Sequence, residues 1–505
     1  MLPALLLAAV GQGISSASAS EPARPPEDLY AAHCAVCHGA RGRADGEAAR
    51  FLFPPARNFS RGAFRLVSSA NGAPTERDLV ATLKRGIPGS SMPSFHWLTD
   101  AELAGLAGYV RELAIEGLTE QLVIAEASDA SGSPEGPRRH ATERLTPGAP
   151  LAELLPVEDF DQAVVRGREL YASNCARCHL EDGSGGREPR WDDDGGLNWA
   201  RDFTRGYMKG GLSRQDIAHR IQAGMPGSAM PATQLGSPED LAALVEYVRT
   251  LIPEDPLSLV LRRQRLTAER VNALGDITHD DPRWKSPGRV FVRLTPLWWR
   301  EASILEVKLS ALHDGSSLAI RARWPDETSQ PRIFSDANRS DGIALQFSSA
   351  ERPPLFGMGA TDNPTSIWHW QAVRLDDVAG WMDLLEPPHL TGSHQVPAVR
   401  VQSPVYHRLA GLPVVSARVE QIEGRGIPTR RKGTTQPSDV RIEARSDGKE
   451  WDVIFLRQME PPSERDIEFL MGDEVQMAVA IWNGAAGDTG PQKSISIWQS
   501  LLLEP

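Results

Sequence analysis

The chain has 505 residues, 41% of them hydrophobic and 24% charged, with a formal net charge of -12 and a mean hydropathy of -0.32. That length suits about three domains of ordinary size, and the composition is that of a soluble globular protein. Net acidity without a basic face excludes a nucleic-acid binder, which needs clustered Lys and Arg for phosphates.

In chain order, Leu2 to Val10 is a short apolar run, and Ala17-Ser18-Ala19 offers an A-x-A cleavage site. Residues 1–19 are therefore expected to be a secretory signal peptide, although no positive residue precedes Leu2. The run is far below the roughly 20 residues of a spanning helix, and no other stretch approaches that length. The expected mature protein is exported to the periplasm and has no transmembrane segment after cleavage.

Cys34-Ala35-Val36-Cys37-His38 follows, and Cys175-Ala176-Arg177-Cys178-His179 echoes it. C-x-x-C-H is the attachment site of a c-type haem: two thiols add to the vinyl groups of one porphyrin, and the His binds iron. The chain has four cysteines, and these motifs use all of them. A redox or zinc C-x-x-C would not explain a His directly after the second Cys in both places. Two covalent haem c groups are expected, held by Cys34, Cys37, Cys175 and Cys178, with His38 and His179 on iron and no disulfide.

The surrounding landmarks repeat as well. Ala56-Arg57-Asn58-Phe59-Ser60-Arg61-Gly62 recurs as Ala200-Arg201-Asp202-Phe203-Thr204-Arg205-Gly206. Gly86-Ile87-Pro88-Gly89-Ser90-Ser91-Met92-Pro93 recurs as Gly224-Met225-Pro226-Gly227-Ser228-Ala229-Met230-Pro231. Leu103, Leu106, Tyr109, Val110 and Leu113 mark a late amphipathic helix, matched by Leu241, Leu244, Tyr247, Val248 and Leu251. The offset is 141 residues at the cysteines and 138 at the methionines, so a domain is duplicated.

Each Gly/Pro-rich loop can carry its Met across the face of a haem opposite the His. Met92 and Met230 are the expected sixth ligands; the plainer alternative is core packing. Met208, Met225 and His96 are rivals, but Met225 stands where the first repeat has Ile87, and Met208 where it has Phe64, which suits packing. His33, directly before Cys34, is expected to face solvent. Arg57 and Arg201 either pair with haem propionates or stand as solvated loop residues. These motifs resemble the class I cytochrome c fold, occurring twice. The resemblance implies two all-α domains, 22–118 and 156–255, joined by a linker over 119–155 that is richest in Ala, Ser, Gly, Pro and charge between Ser128 and Pro150.

Beyond residue 285 short alternating segments replace helical ones. Val307, Leu309 and Ala311 lead into Asp314-Gly315, a hairpin signal, and Leu318, Ile320, Ala322 and Trp324 return. The simplest architecture for 285–505 is a β-sandwich. Asp341-Gly342-Ile343-Ala344-Leu345-Gln346-Phe347, Pro353-Pro354-Leu355-Phe356-Gly357-Met358-Gly359, Ile367-Trp368-His369-Trp370-Gln371-Ala372, Val479-Ala480-Ile481-Trp482-Asn483-Gly484 and Gln492-Lys493-Ser494-Ile495-Ser496-Ile497-Trp498 follow in order. Together they resemble the haem-binding subunit of ethylbenzene dehydrogenase and its dimethyl sulfide dehydrogenase, chlorate and selenate reductase relatives.

That resemblance implies a third, non-covalent haem b between a Met and a Lys, here Met358 and Lys493. The Lys would have to be neutral, since only a free amine lone pair binds iron. Within the sandwich the other lysines are Lys308, Lys432 and Lys449, with Lys285 at its edge, and His369 is another candidate ligand. Lys432 and Lys449 read as solvated loop charges. Six-coordinate iron leaves no place for substrate, so the expected role is electron transfer rather than catalysis. The resemblance implies a molybdenum and iron–sulfur oxidoreductase as partner, with soluble or respiratory-chain cytochromes on the other side. The alternatives are a di-haem peroxidase-like enzyme, which needs an open iron position, and a di-haem shuttle anchored by a haem-free binding sandwich.

Overall fold

In the computed structural model the described residues are 23–126, 135–254, 261–327, 341–350, 353, 365–373, 416–424, 440–461 and 466–505, apart from positions 187, 194, 301–302 and 489. The first domain begins with α1 (Pro26–His33) and α2 (Ala35–His38). It continues with α3 (Glu76–Arg85), α4 (Asp100–Glu126) and α5 (Glu135–Leu145). The second holds α6 (Phe160–Asn174), α7 (Ala176–His179), α8 (Arg214–Ala223) and α9 (Pro238–Thr250). It is not purely helical: β1 (Arg190–Trp191) and β2 (Leu197–Asn198) form an antiparallel ribbon between α7 and α8.

The duplication is visible in local chemistry. Thr75 and Ser213 each accept from the backbone three residues on, and Asp78 and Asp216 reciprocate, so α3 and α8 start on the same capping box. At the first cysteine of each motif the helix breaks and restarts, with φ,ψ of -116°,-40° at Cys34 and -119°,-39° at Cys175. Tyr30 packs on Tyr109 with ring centroids 5.2 Å apart, and Tyr171 on Tyr247 at the same separation. The late helix thereby closes over the motif helix in both domains. Gly167 allows this in the second: a side chain there would strike the backbone of Ala243 on α9.

The stretch expected as a linker is largely structured. Within 119–155, α4 runs on to Glu126 and α5 buries Ala141 and Leu145 in the first domain's core. Beyond α5 the chain straps the two domains together. Ala70 N donates to Ala149 O and Leu151 N to Ser68 O, both 2.8–2.9 Å, on the first domain. Leu154 N then donates to Gln215 Oε1 at 2.9 Å on the second. Among the described residues no helix is long and apolar enough to cross a membrane.

The C-terminal domain comprises β3 (Arg265–Arg270), β4 (Val290–Arg293), β5 (Thr295–Pro296), β6 (Glu306–His313), β7 (Ser317–Pro325) and β8 (Gly342–Ser348). Then come β9 (Thr365–Val373), β10 (Ser416–Gly424), β11 (Arg441–Ser446) and β12 (Glu450–Gln458). β13 (Glu474–Trp482), β14 (Ser494–Ile495) and β15 (Gln499–Leu503) complete it. The expected hairpin at Asp314-Gly315 joins β6 to β7, and Asp314 Oδ1 accepts from Ser316 N and Ser317 N in the turn. Two separate layers were the sequence expectation, and the hydrogen bonding corrects it. The strands form one continuous path, β10-β9-β8-β13-β15-β3-β6-β7-β12-β11, with parallel pairing at β15–β3–β6. The path curls so that its two wings face each other. Trp370 on β9 lies 6.3 Å from Trp324 on β7 and 5.0 Å from Trp451 on β12. Burying these large rings contributes to that closure, at about 25 cal/mol per Å² of apolar surface.

Candidate functional site

In the first domain the break at Cys34 sets Cys34, Cys37 and His38 on one wall of a cavity of about 180 Å³ (the room for the centre of a water-sized sphere). Met92 lines the same cavity, with Leu52, Leu83 and Phe95. The structure thus brings together the four residues that sequence spacing proposed. Burial pushes the Cys34 and Cys37 thiols up to about 12, the reverse of the low-pKa pair that thiol–disulfide chemistry uses.

His38 is oriented from behind. Its Nδ1 donates to Arg57 O at 2.9 Å, and its ring stacks on Phe59 with centroids 4.5 Å apart. The carbonyl can only accept, so Nδ1 carries the proton and Nε2 keeps its lone pair. Burial holds the imidazole below its ordinary range, which keeps it neutral. A neutral ring with a bare, aimed nitrogen is what a metal needs. His179 repeats this, donating through Nδ1 to Arg201 O at 2.9 Å and stacking on Phe203 at 4.4 Å. The two arginines therefore act first through their backbone, a role the sequence did not suggest.

The Met loops are folded as one pattern. Ile87 N donates to Met92 O at 3.1 Å and Ser90 Oγ to Ile87 O at 2.7 Å. In the second copy Met225 N donates to Met230 O at 3.0 Å and Ser228 Oγ to Met225 O at 2.7 Å. Gly86 and Gly224 open these loops at φ of +71° and +62°, where a Cβ would lie 2.5–2.7 Å from the returning backbone. Only Gly allows that approach. His96 is exposed, its Nδ1 3.1 Å from Ser94 Oγ, and does not line the cavity. Met208 is buried in the second domain's core. Two expectations change: His33 is half-buried at the cavity rim rather than solvent-facing, and Met225 reaches out of its own domain to line the first domain's cavity.

Lys209 enters the same cavity from the second domain and was missed by sequence reading. The signal existed: Arg57, Phe59, Arg61 and Arg65 recur 144 residues later as Arg201, Phe203, Arg205 and Lys209. Around this seam Arg65 pairs with Asp192 at 2.5 Å, and Arg61 Nη1 donates to Asp193 O at 2.9 Å. Arg220 Nη1 donates to Arg65 O at 2.7 Å.

The β-domain docks on the Met92 loop. Thr295 Oγ1 donates to Ser90 O at 2.8 Å, and Ser91 Oγ to Pro296 O at 3.1 Å. Phe53 N donates to Leu297 O at 2.8 Å, and Leu297 N donates in turn to Lys493 O at 2.8 Å. Ser91 Oγ also donates to Leu297 O at 3.3 Å, so Lys493 is joined to the Met92 loop through Leu297. Its ammonium lies 4.6 Å from the centroid of Trp482, and the buried His369 ring lies 5.0 Å from the same indole. Lys308 sits over Phe291, while Lys285 and Lys449 are exposed. Met358 and Lys432 lie outside the described residues.

Comparison with known proteins follows this division. Residues 21–110 match the family "Cytochrome C oxidase, cbb3-type, subunit III", 164–251 match "Cytochrome c", and 298–494 match "Ethylbenzene dehydrogenase". Two matches to cytochrome c-type families thus precede one to the ethylbenzene dehydrogenase family along the chain. Among individual relatives, ORF7 of Haloferax mediterranei, named provisionally as a respiratory nitrate reductase heme subunit, is 23% identical over 207 residues. That match covers 41% of this chain and 58% of the relative, less than two thirds of its length. Among solved structures, a chain of a reducing HAO-like protein complex from Kuenenia stuttgartiensis is 27% identical, with a TM-score of 0.38. It covers 46% of this chain and 98% of its own. A family 9 carbohydrate-binding module from Caldicellulosiruptor kristjanssonii has a TM-score of 0.26 at 7% identity, covering 48% of this chain and 96% of its own.

Proposed function

We propose that this cytochrome is a periplasmic relay, carrying electrons between a partner oxidoreductase and respiratory-chain or soluble cytochromes, and is not itself a catalyst. The observation that carries this is the paired imidazole geometry: His38 and His179 each have Nδ1 committed to a backbone carbonyl and Nε2 free. In the first domain that nitrogen shares its cavity with Met92. Two haem c groups would be held by Cys34, Cys37, Cys175 and Cys178, with His38 and Met92 on one iron and His179 and Met230 on the other. Haem supplies reversible one-electron chemistry, and His/Met ligation raises its potential relative to two nitrogen ligands.

What the chain does is hold the ligands still. The Phe59 and Phe203 rings and the Arg57 and Arg201 carbonyls lock the imidazoles, and the hydrogen-bonded loops lock the methionines. Little then rearranges when charge changes. A third, non-covalent haem b in the β-domain, held by Met358 and Lys493, would exchange electrons with the first cytochrome domain through the Thr295–Leu297 contact. The partner on that side would be a molybdenum and iron–sulfur oxidoreductase, in keeping with the ethylbenzene dehydrogenase match and the heme-subunit name of ORF7.

Acid–acetone extraction followed by pyridine haemochrome assay tests this directly. Two haems retained on the chain and one extracted is the expected result. Two retained and none extracted from well-loaded protein would reduce the β-domain to a binding module. A site that turns high-spin or binds cyanide readily would favour the peroxidase-like alternative instead.

A further inference from the structure

Lys209 belongs to the second cytochrome domain but lines the cavity of the first, together with Arg57, Arg65 and the motif residues Cys37 and His38. The guanidiniums of Arg201, Arg65 and Arg57 repel its ammonium, and the Asp192 carboxylate opposes them. Asp192 is already paired with Arg65 and accepts from Asn198 Nδ2 at 2.7 Å. Among the described residues Lys209 itself has no ion-pair partner. Burial and its cationic neighbours hold it well below the ordinary lysine range, and burial brings Arg201 down to about 10.

Cations gathered away from bulk water repel one another and lose hydration, and such a cluster persists when an anion joins it. The rest of the cavity is walled by residues such as Leu52, Leu83 and Phe95, so the cationic end gives it polarity. A haem has that same polarity, with an apolar ring and one edge bearing two propionate carboxylates.

We propose that Lys209 contacts a propionate of the haem in the first domain, so that this haem site is completed by the second domain. The inference rests on reading the cavity as a haem c site. A positive charge held near the iron favours the reduced form, because reduction removes one unit of charge there. Lys209 therefore raises the potential of the first haem, and the docking of the two domains sets that potential.

The test is a redox titration of the full chain, with the first haem's component identified by its displacement in a Met92→His variant. Lys209→Gln should move that component to lower potential and change the propionate-bending band in the resonance Raman spectrum. Lys209→Arg should retain the potential and alter only the band, through its different hydrogen-bond geometry. An unmoved component with an unchanged band in Lys209→Gln would overturn the proposal. If the Gln variant does not accumulate, an unchanged band in Lys209→Arg overturns it equally. Failure of the underlying haem reading shows separately, as fewer than two covalent haems in the unmodified chain.

Discussion

The guanidinium of Arg201 lies against Gly89, inside the loop that carries Met92 in the other cytochrome domain. Its counterpart Arg57 holds Nη1 4.0 Å from where a side chain on Gly227 would begin, in the loop that carries Met230. The two domains thus exchange arginines across one seam. Each arginine also presents its carbonyl to its own domain's histidine. One residue therefore couples a proposed ligand in its own domain to the loop of a proposed ligand in the neighbour.

This reciprocity is imperfect, and the imperfection is measurable. Gly89 and Gly227 share almost the same backbone, with φ of +75° and +73°, so replacement by Ala costs each about 1 kcal/mol of conformational strain. At Gly227 the nearest atoms are ordinary contacts at 3.8–4.0 Å, whereas at Gly89 the new methyl would overlap Arg201. Gly89→Ala should therefore destabilise the protein more than Gly227→Ala and loosen the seam to proteolysis. Thermal unfolding and limited digestion of both variants check this; equal losses would show that Arg201 simply moves aside.

Leu180 offers a gain in stability. It ends α7 with φ,ψ of +63°,+167°, where the first repeat has Gly39 at +79°,+156°. A leucine is strained in that region, and its side chain is 43% exposed, so little packing compensates. Leu180→Gly should raise stability by about 1 kcal/mol, read as a higher denaturant midpoint with haem content unchanged.

Glu102 predicts a pH window. Its carboxylate accepts from Thr99 N at 2.9 Å at the start of α4 and from Arg24 Nε at 2.7 Å, and these bonds hold it down to about 2. Because the folded value lies below the ordinary one near 4.5, its contribution is fully present above that pH and is lost as pH falls toward 2. Glu102→Gln should cost about 1 kcal/mol near pH 6, and the deficit should shrink below pH 4. Urea denaturation at the two pH values decides the matter.

The proposed ligation by Met92 and Met230 is open to spectroscopy. Met92→Ala and Met230→Ala should each remove part of the weak far-red sulfur-to-iron band of the oxidised protein, and the double variant should remove all of it. A band that survives the double variant would return both residues to packing roles.

Much of this was legible in the chain. The residues proposed to meet one porphyrin, two cysteines and a histidine, fall within five consecutive positions, so the motif reads without any fold. The duplication was equally plain, because Gly/Pro loops and helical periodicity act locally and leave local traces. The alternation from Val307 to Ala311 and from Leu318 to Trp324 announced a β-domain, though not that its two wings are parts of one sheet. That depends on the parallel pairing of β15 with β3, strands more than two hundred residues apart.

What tertiary structure alone decided lies at the seams. Lys209 and Met225 read as residues of the second domain, yet both line the cavity of the first. The stretch that looked like a plain linker packs α5 on α4 and straps two domains together. Periodicity and spacing record how a segment meets its near neighbours in sequence. Which cation faces which cavity depends on how whole surfaces dock, and the charge, shape and burial that govern docking belong to no single stretch of chain.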